Sequence, residues 1–183
     1  MKRRGDTVLT SISFIWSVLE SCIFFILPDF YIFPATVARP HIWKRLVIAS
    51  VAGSLLGSFV FAGIVSVDPL ATKKLLLHIP FVTSVMFEEV STELNENSTS
   101  VLLQSISGIP VKVWTWEAVT SNFSLGLFLF FIFISRTIRM AIIAYIGKLV
   151  GGNLPMNVTR YYGWYLLAYT AVFLCLLWFL VYL

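Results

Sequence analysis

The sequence predicts an all-α integral membrane protein built as an inverted repeat. A re-entrant helical hairpin followed by a transmembrane helix occurs twice, with one additional C-terminal transmembrane helix. Three observations carry this. The 183 residues are 58% hydrophobic and 12% charged, with mean hydropathy +0.89, against about 45–50% apolar in ordinary soluble domains. Residues 46–67 and 162–183 carry no charged side chain, and about 20 apolar residues cross the hydrocarbon of a bilayer. Two other apolar stretches, 7–38 and 101–120, are broken by proline. Paired interrupted segments in two halves of a chain point to a repeat whose site lies where the halves meet.

The single transmembrane domain, 1–183, reads as follows. Residues 7–38 are interrupted at Leu27-Pro28-Asp29 and Phe33-Pro34. Proline removes a backbone donor and disfavours helix in the residue before it, so the stretch suits a re-entrant hairpin with Pro28 and Pro34 at its tip. Irregular backbone at membrane depth survives only where protein or water satisfies it. Residues 46–67 form a transmembrane helix whose Gly53, Ser54 and Gly57 let another helix approach closely. Residues 73–97 make an amphipathic arm, acidic in its second half. Residues 101–120 are the second re-entrant hairpin, with Pro110 and Thr115 as its tip residues. Residues 122–147 and 162–183 are the remaining transmembrane helices, the last with an aromatic start suited to the headgroup belt. By eye, Leu27-Pro28-Asp29-Phe30-Tyr31 aligns with Ile109-Pro110-Val111-Lys112-Val113.

Charge within these stretches is the functional signal. An ionisable residue at membrane depth costs about 2.5–3.5 kcal/mol on insertion scales and is a functional hypothesis by default. Glu20 and Asp29 lie in the first broken stretch, Lys112 in the second, and Arg136 and Arg139 in the helix after it. The two arginines are three apart and share a helix face. Arginine grips a phosphate bidentately and keeps its charge, so Lys112, Arg136 and Arg139 are candidates to bind a phosphate-bearing substrate. Glu20 and Asp29 are candidates for proton coupling, since burial favours the neutral carboxyl. The same five residues could instead be fixed ion pairs that lock the hairpins together. Glu117 is expected to be solvated at the outer mouth.

No metal-ligand spacing, phosphate loop or catalytic triad pattern occurs, so catalytic residues, metal and cofactor are expected to be none and the protein is not read as an enzyme. Cys22 and Cys175 are expected to be inert thiols. Met1-Lys2-Arg3-Arg4 resembles the start of a signal peptide, but Glu20 interrupts the apolar stretch and no small-residue cleavage site follows. The start is read as topogenic. With the N-terminus cytoplasmic, Arg39, Lys44, Arg45, Lys148 and Arg160 also fall inside and only Lys73 and Lys74 outside, as the positive-inside bias requires. Nucleic acid is not expected as a partner, and a homo-oligomer is compatible with the sequence.

These motifs carry a resemblance. Glu20 with Pro28-Asp29, then Arg39-Pro40 and Gly53-Ser54-x-x-Gly57, is similar to the first half of the DedA (VTT-domain, SNARE-associated) superfamily, closest to its YqaA-like branch. Ile109-Pro110-Val111-Lys112-Val113-Trp114-Thr115 resembles that branch's Pro-x-Lys-x-x-Thr hairpin, and Arg136-x-x-Arg139 its later paired arginines. The Gly-Arg-x-x-Pro-x-x-Arg hairpin of larger members is absent here, with Lys112 standing for its second basic residue. The resemblance spans roughly residues 12–150. It implies an inverted-repeat fold in a bacterial or archaeal cell membrane, and flippase or scramblase transport of phospholipid or undecaprenyl phosphate, coupled in bacterial members to protons. The headgroup would then sit on Lys112, Arg136 and Arg139, and protonation of Glu20 or Asp29 would release it. The alternative is a non-transporting scaffold or interaction protein whose buried charges are structural. A lipid-modifying enzyme is the weakest of the three readings.

Overall fold

The computed structural model describes residues 2–24, 26–79 and 82–153. The expected helix 162–183, with Cys175 and Arg160, lies outside the described residues. Within them the chain is all-helical, without strands. The order is α1 (Lys2–Cys22), α2 (Asp29–Ala38), a 3-10 turn Pro40–Ile42, α3 (Trp43–Val67), α4 (Pro69–Leu77), α5 (Ser84–Glu96), a 3-10 segment Ser98–Ser105, α6 (Val111–Thr120) and α7 (Leu125–Asn153).

Two spans, Pro40–Val67 and Leu125–Asn153, are long and apolar enough to cross a membrane by length and composition. The 25 residues of α3 and 29 of α7 rise roughly 37 and 43 Å, more than the roughly 30 Å hydrocarbon core requires. Trp43 at the start of α3 lies 6.0 Å from Tyr145 near the end of α7, so the long helices run in opposite directions.

The two proline-broken stretches share a local plan. Pro28 and Pro110 each stand immediately before a ten-residue helix, α2 and α6. Four residues then lead to the long helices. Asp29 and Val111 head the short helices, Trp43 and Leu125 the long ones, and both pairs are 82 positions apart. The packing crosses over as well. The main long-helix neighbour of α2 is α7, and that of α6 is α3.

Why α1 lies against α3 follows from small residues. A Cβ at Gly53 would stand 2.4 Å from the Phe14 carbonyl oxygen, and one at Gly57 2.7 Å from that of Val18. The backbones meet because these positions carry none, as the small-residue spacing predicts. Ser17 and Ser50 hydroxyls bond at 2.6 Å, and Ser13 donates to the Leu46 carbonyl at 3.1 Å. Both links join residues 33 apart, so α1 and α3 run parallel. Asp6 at the start of α1 pairs with Arg39, and its other oxygen lies 3.1 Å from His41 Nε2. The start of α1 and the end of α2 therefore meet at one end of the molecule. Burial works to raise the Asp6 carboxyl, and the hydrogen bonds and charges of His41 and Arg39 outweigh it, leaving the group below its ordinary value.

Several expected boundaries move. Pro34 is not at a tip: it lies inside α2. It removes one donor, but the buried face of Tyr31, Ile32, Ala35 and Thr36 packs on α7 and holds the helix. Thr115 likewise lies within α6, where its hydroxyl bonds the Val111 carbonyl at 2.9 Å. The arm 73–97 is two helices, α4 and α5. Asp68 caps the first, accepting from the Ala71 amide at 2.9 Å, with Pro69 at the first helical position, where a missing donor is harmless. The helix expected at 122–147 starts at Leu125, because Asn122 adopts φ 56° and ends α6. The Phe123 amide bonds back to the Ala118 carbonyl, the closing bond of a left-handed helix cap.

The acidic arm α5 buries Phe87, Val90 and Leu94. Burial first, then the charges of Glu89 and Glu96, hold Glu93 above its ordinary value of 4.5, and its Oε2 is buried without a hydrogen-bond partner among the described residues. A carboxyl raised by folding binds its proton more tightly in the folded state. The contribution of this group to stability is therefore gained as pH falls through the raised value and is least favourable near neutrality. Glu93→Gln is expected to raise the melting temperature at pH 7 and to abolish the gain on acidification. Melting curves of both proteins at pH 7 and pH 5 check this, and coincident curves at pH 7 would refute it.

Candidate functional site

The candidate site forms where α1, α2, α6 and α7 come together, and the five charges singled out in the sequence converge there, Glu20, Lys112 and Arg136 buried and Asp29 and Arg139 half-buried. Glu20 near the end of α1 is 2% exposed and Arg136 on α7 is 1% exposed, and Arg136 Nη2 donates to Glu20 Oε1 at 3.0 Å. One helical turn further on, Arg139 donates from Nε to Asp29 Oδ2 at 2.8 Å and from Nη2 to the same oxygen. Its Nη1 donates to the Ser105 carbonyl. The three-residue spacing thus gives each arginine its own acid from the first broken stretch.

Lys112 differs. It is fully buried, and Nζ donates to the Phe24 carbonyl at 2.7 Å. No carboxylate among the described residues lies within ion-pairing distance of it. Phe24 belongs to the irregular segment between α1 and α2. Trp16 captures a second carbonyl of that segment, donating from Nε1 to Ile26 at 3.1 Å. These contacts meet the requirement that broken backbone at depth find protein partners.

A cavity of about 490 Å³ opens beside these groups. Glu20, Lys112 and Arg139 line it, together with Gln104, Ser105 and Pro110. Arg136 and Asp29 are not on its wall; each is joined to it through its partner. Polar capacity is left over. Arg136 Nε and Nη1 and Asp29 Oδ1 are buried with no hydrogen-bond partner among the described residues. Such groups are rare in folded proteins. Three bases stand against two acids, so the cluster carries one uncompensated positive charge.

Pro28 and Pro110 serve the site as the residues that start α2 and α6, and so aim Asp29 and Lys112. Pro34 and Thr115 do not contribute to it. Glu117 is 8% exposed rather than solvated, and the α6 side chains from Val111 to Ala118 are all buried. Sequence reasoning missed Ser105, whose carbonyl holds Arg139 and whose hydroxyl donates to Ser135 at 3.1 Å. A serine in an apolar run gives no signal of such a role. It also missed Asp6, whose partners lie 33 and 35 positions away.

Among the described residues no cluster of His, Cys, Asp or Glu has the arrangement of a metal site. Comparison with known proteins returns no matching family model, no matching curated protein and no matching solved structure. The chain is thus characterised as an all-helical protein with two helices able by length and composition to cross a membrane, and with a buried charge cluster between its two halves.

Proposed function

We propose that the protein is a membrane lipid transporter of the flippase or scramblase type, moving a phosphate-bearing lipid such as a phospholipid or a polyprenyl phosphate. The observation that carries this reading is Lys112. It is a fully buried cation with no carboxylate within ion-pairing distance among the described residues, on the wall of a cavity that Glu20 and Arg139 also line. Burying a charge is expensive unless it is closely paired, and an anionic headgroup supplies a close pair. The equal spacing of the two halves, the opposed long helices and the crossed packing support an inverted repeat of two re-entrant hairpins. Arg39, Lys44 and Lys148 gather at the end where α1 begins, Lys44 and Lys148 each over the Trp43 ring at 5.6 and 5.4 Å. That end is the cytoplasmic one on this reading, and the resemblance to the DedA superfamily points the same way.

The ion pairs reverse the sense of proton coupling that the sequence suggests. Glu20 and Asp29 already hold Arg136 and Arg139. Protonating either acid frees its arginine and adds positive charge to the cavity, which strengthens the grip on a phosphate. Loss of the proton restores the pair and expels the headgroup.

The test is transport of fluorescent phospholipid and polyprenyl phosphate in proteoliposomes, with and without a pH gradient. Lys112→Met keeps most of the unbranched side chain and removes its charge. It is expected to lower transport at least about tenfold, as loss of a contact worth 1.4 kcal/mol does, while the protein still folds. Wild-type rates in folded Lys112→Met would sink the reading.

The scaffold reading has its own support, since both buried acids are already neutralised by arginines. It predicts that exchanging partners, Asp29→Arg with Arg139→Asp, preserves function. The exchange must use Arg139, because Asp29 pairs with that residue and not with Lys112.

A further inference from the structure

The polar cavity does not end at its own wall. Arg139, Ser105 and Ile106 line it and also line a second cavity of about 340 Å³. The second is made almost wholly of hydrocarbon, with Leu102 on one side and Ile134, Ile138 and Ile142 on the other. These three isoleucines recur every four residues on α7, so the groove follows the helix axis for roughly 12 Å. Ile138 and Ile142 are 56% and 55% exposed. Ile106 is 84% exposed and stands at the junction.

A polar cavity with surplus positive charge and an apolar groove with none thus share one edge. A small anion would use only the first, and a neutral hydrocarbon only the second. The geometry points to the groove on α7 as the seat of one hydrocarbon chain of an anionic, phosphate-headed amphiphile whose head lies beside Lys112. This deepens the transporter reading and rests on it. The headgroup enters sideways from the bilayer past Arg139, whose guanidinium is held by Asp29 and the Ser105 carbonyl at the boundary between the two cavities. Hydrocarbon gains nothing by leaving lipid for a protein groove. The charge must therefore localise the chain, and the groove fixes its direction.

That division of labour decides the experiment. The full chain is placed in phosphatidylcholine nanodiscs and irradiated with a dodecyl phosphate carrying a mid-chain diazirine, and labelled residues are mapped by mass spectrometry. Labelling of Ile134, Ile138 and Ile142 is expected to exceed that of Ile48, an exposed apolar residue of α3, by about tenfold, the ratio that a 1.4 kcal/mol preference gives. The excess is expected to vanish with Lys112→Met and with the matching dodecanol probe, which has no charge. Binding of radiolabelled dodecyl phosphate is measured alongside. Lys112-dependent binding with labelling spread evenly over α3 and α7 would overturn the groove and leave the headgroup site standing. Absence of Lys112-dependent binding would overturn both. A photoreactive residue at position 138 that links to residues 162–183 of the chain instead of to the probe would also overturn the proposal, because the groove would then be filled from within.

Discussion

Arg136→Ala is expected to be among the most damaging single substitutions in the described chain. Glu20 keeps its place at 2% exposure and loses its one ion-pair partner among the described residues. Removing one member of a buried pair typically costs about 3–5 kcal/mol, because the remaining charge is stranded. Whole domains are stable by only about 5–15 kcal/mol, so yield and melting temperature in detergent should both collapse. The double substitution Glu20→Gln with Arg136→Met separates stability from function. It removes both charges and keeps similar volumes, and replacing a buried pair with neutral groups is often neutral or stabilising. The double variant is expected to melt near the wild type. On the transporter reading it carries no lipid, and on the scaffold reading it functions normally. An Arg136→Ala protein that melts with the wild type would show that the pair is not made.

The same residues show how far the sequence could be read. Glu20, Asp29, Lys112, Arg136 and Arg139 stood out because each interrupts an apolar stretch, and an interruption is visible without knowing the fold. That they converge was legible too, since charges at depth must find one another. Which acid meets which arginine was not. Lys112, Arg136 and Arg139 were equally open as partners of the two acids, and the choice depends on the angle at which α2 crosses α7, which no local spacing encodes. Glu117 was misjudged for a related reason. Its expected place at the outer mouth suggested solvent, whereas α5 and α3 pack against α6. Pro34 carried a true local signal, a missing donor, that packing on α7 overrides. Pro28 and Pro110 stand just before α2 and α6, where a proline breaks the preceding stretch without costing the following helix a bond. The arm expected from residue 73 begins instead at Pro69, where Asp68-Pro69 is a strong start signal for α4.

Gly53→Ala adds a single methyl group, and its effect is expected to be large for a reason peculiar to the α1–α3 contact. The new Cβ would lie 2.4 Å from the Phe14 carbonyl oxygen and 3.0 Å from the Ser17 Cβ. The first of these is backbone, so no side-chain rotation relieves the clash and the helices must part. Overpacking of this kind typically costs about 1–3 kcal/mol. The separation also propagates. The Ser17–Ser50 bond at 2.6 Å and the Ser13–Leu46 bond at 3.1 Å both cross this interface. Glu20, one turn beyond Ser17 on α1, must reach across to Arg136 on α7. A shift of α1 therefore loosens the buried ion pair without touching either charged residue. Gly63→Ala is the matched control, because a Cβ there meets nothing within 4 Å. The same helix gains about 1 kcal/mol in propensity from that change. Melting curves should move in opposite directions for the two variants, and a Gly53→Ala protein that melts at or above the wild type would mean that α1 and α3 do not touch at Gly53. Transport by Gly53→Ala should fall with its stability, whereas Gly63→Ala should transport as the wild type does.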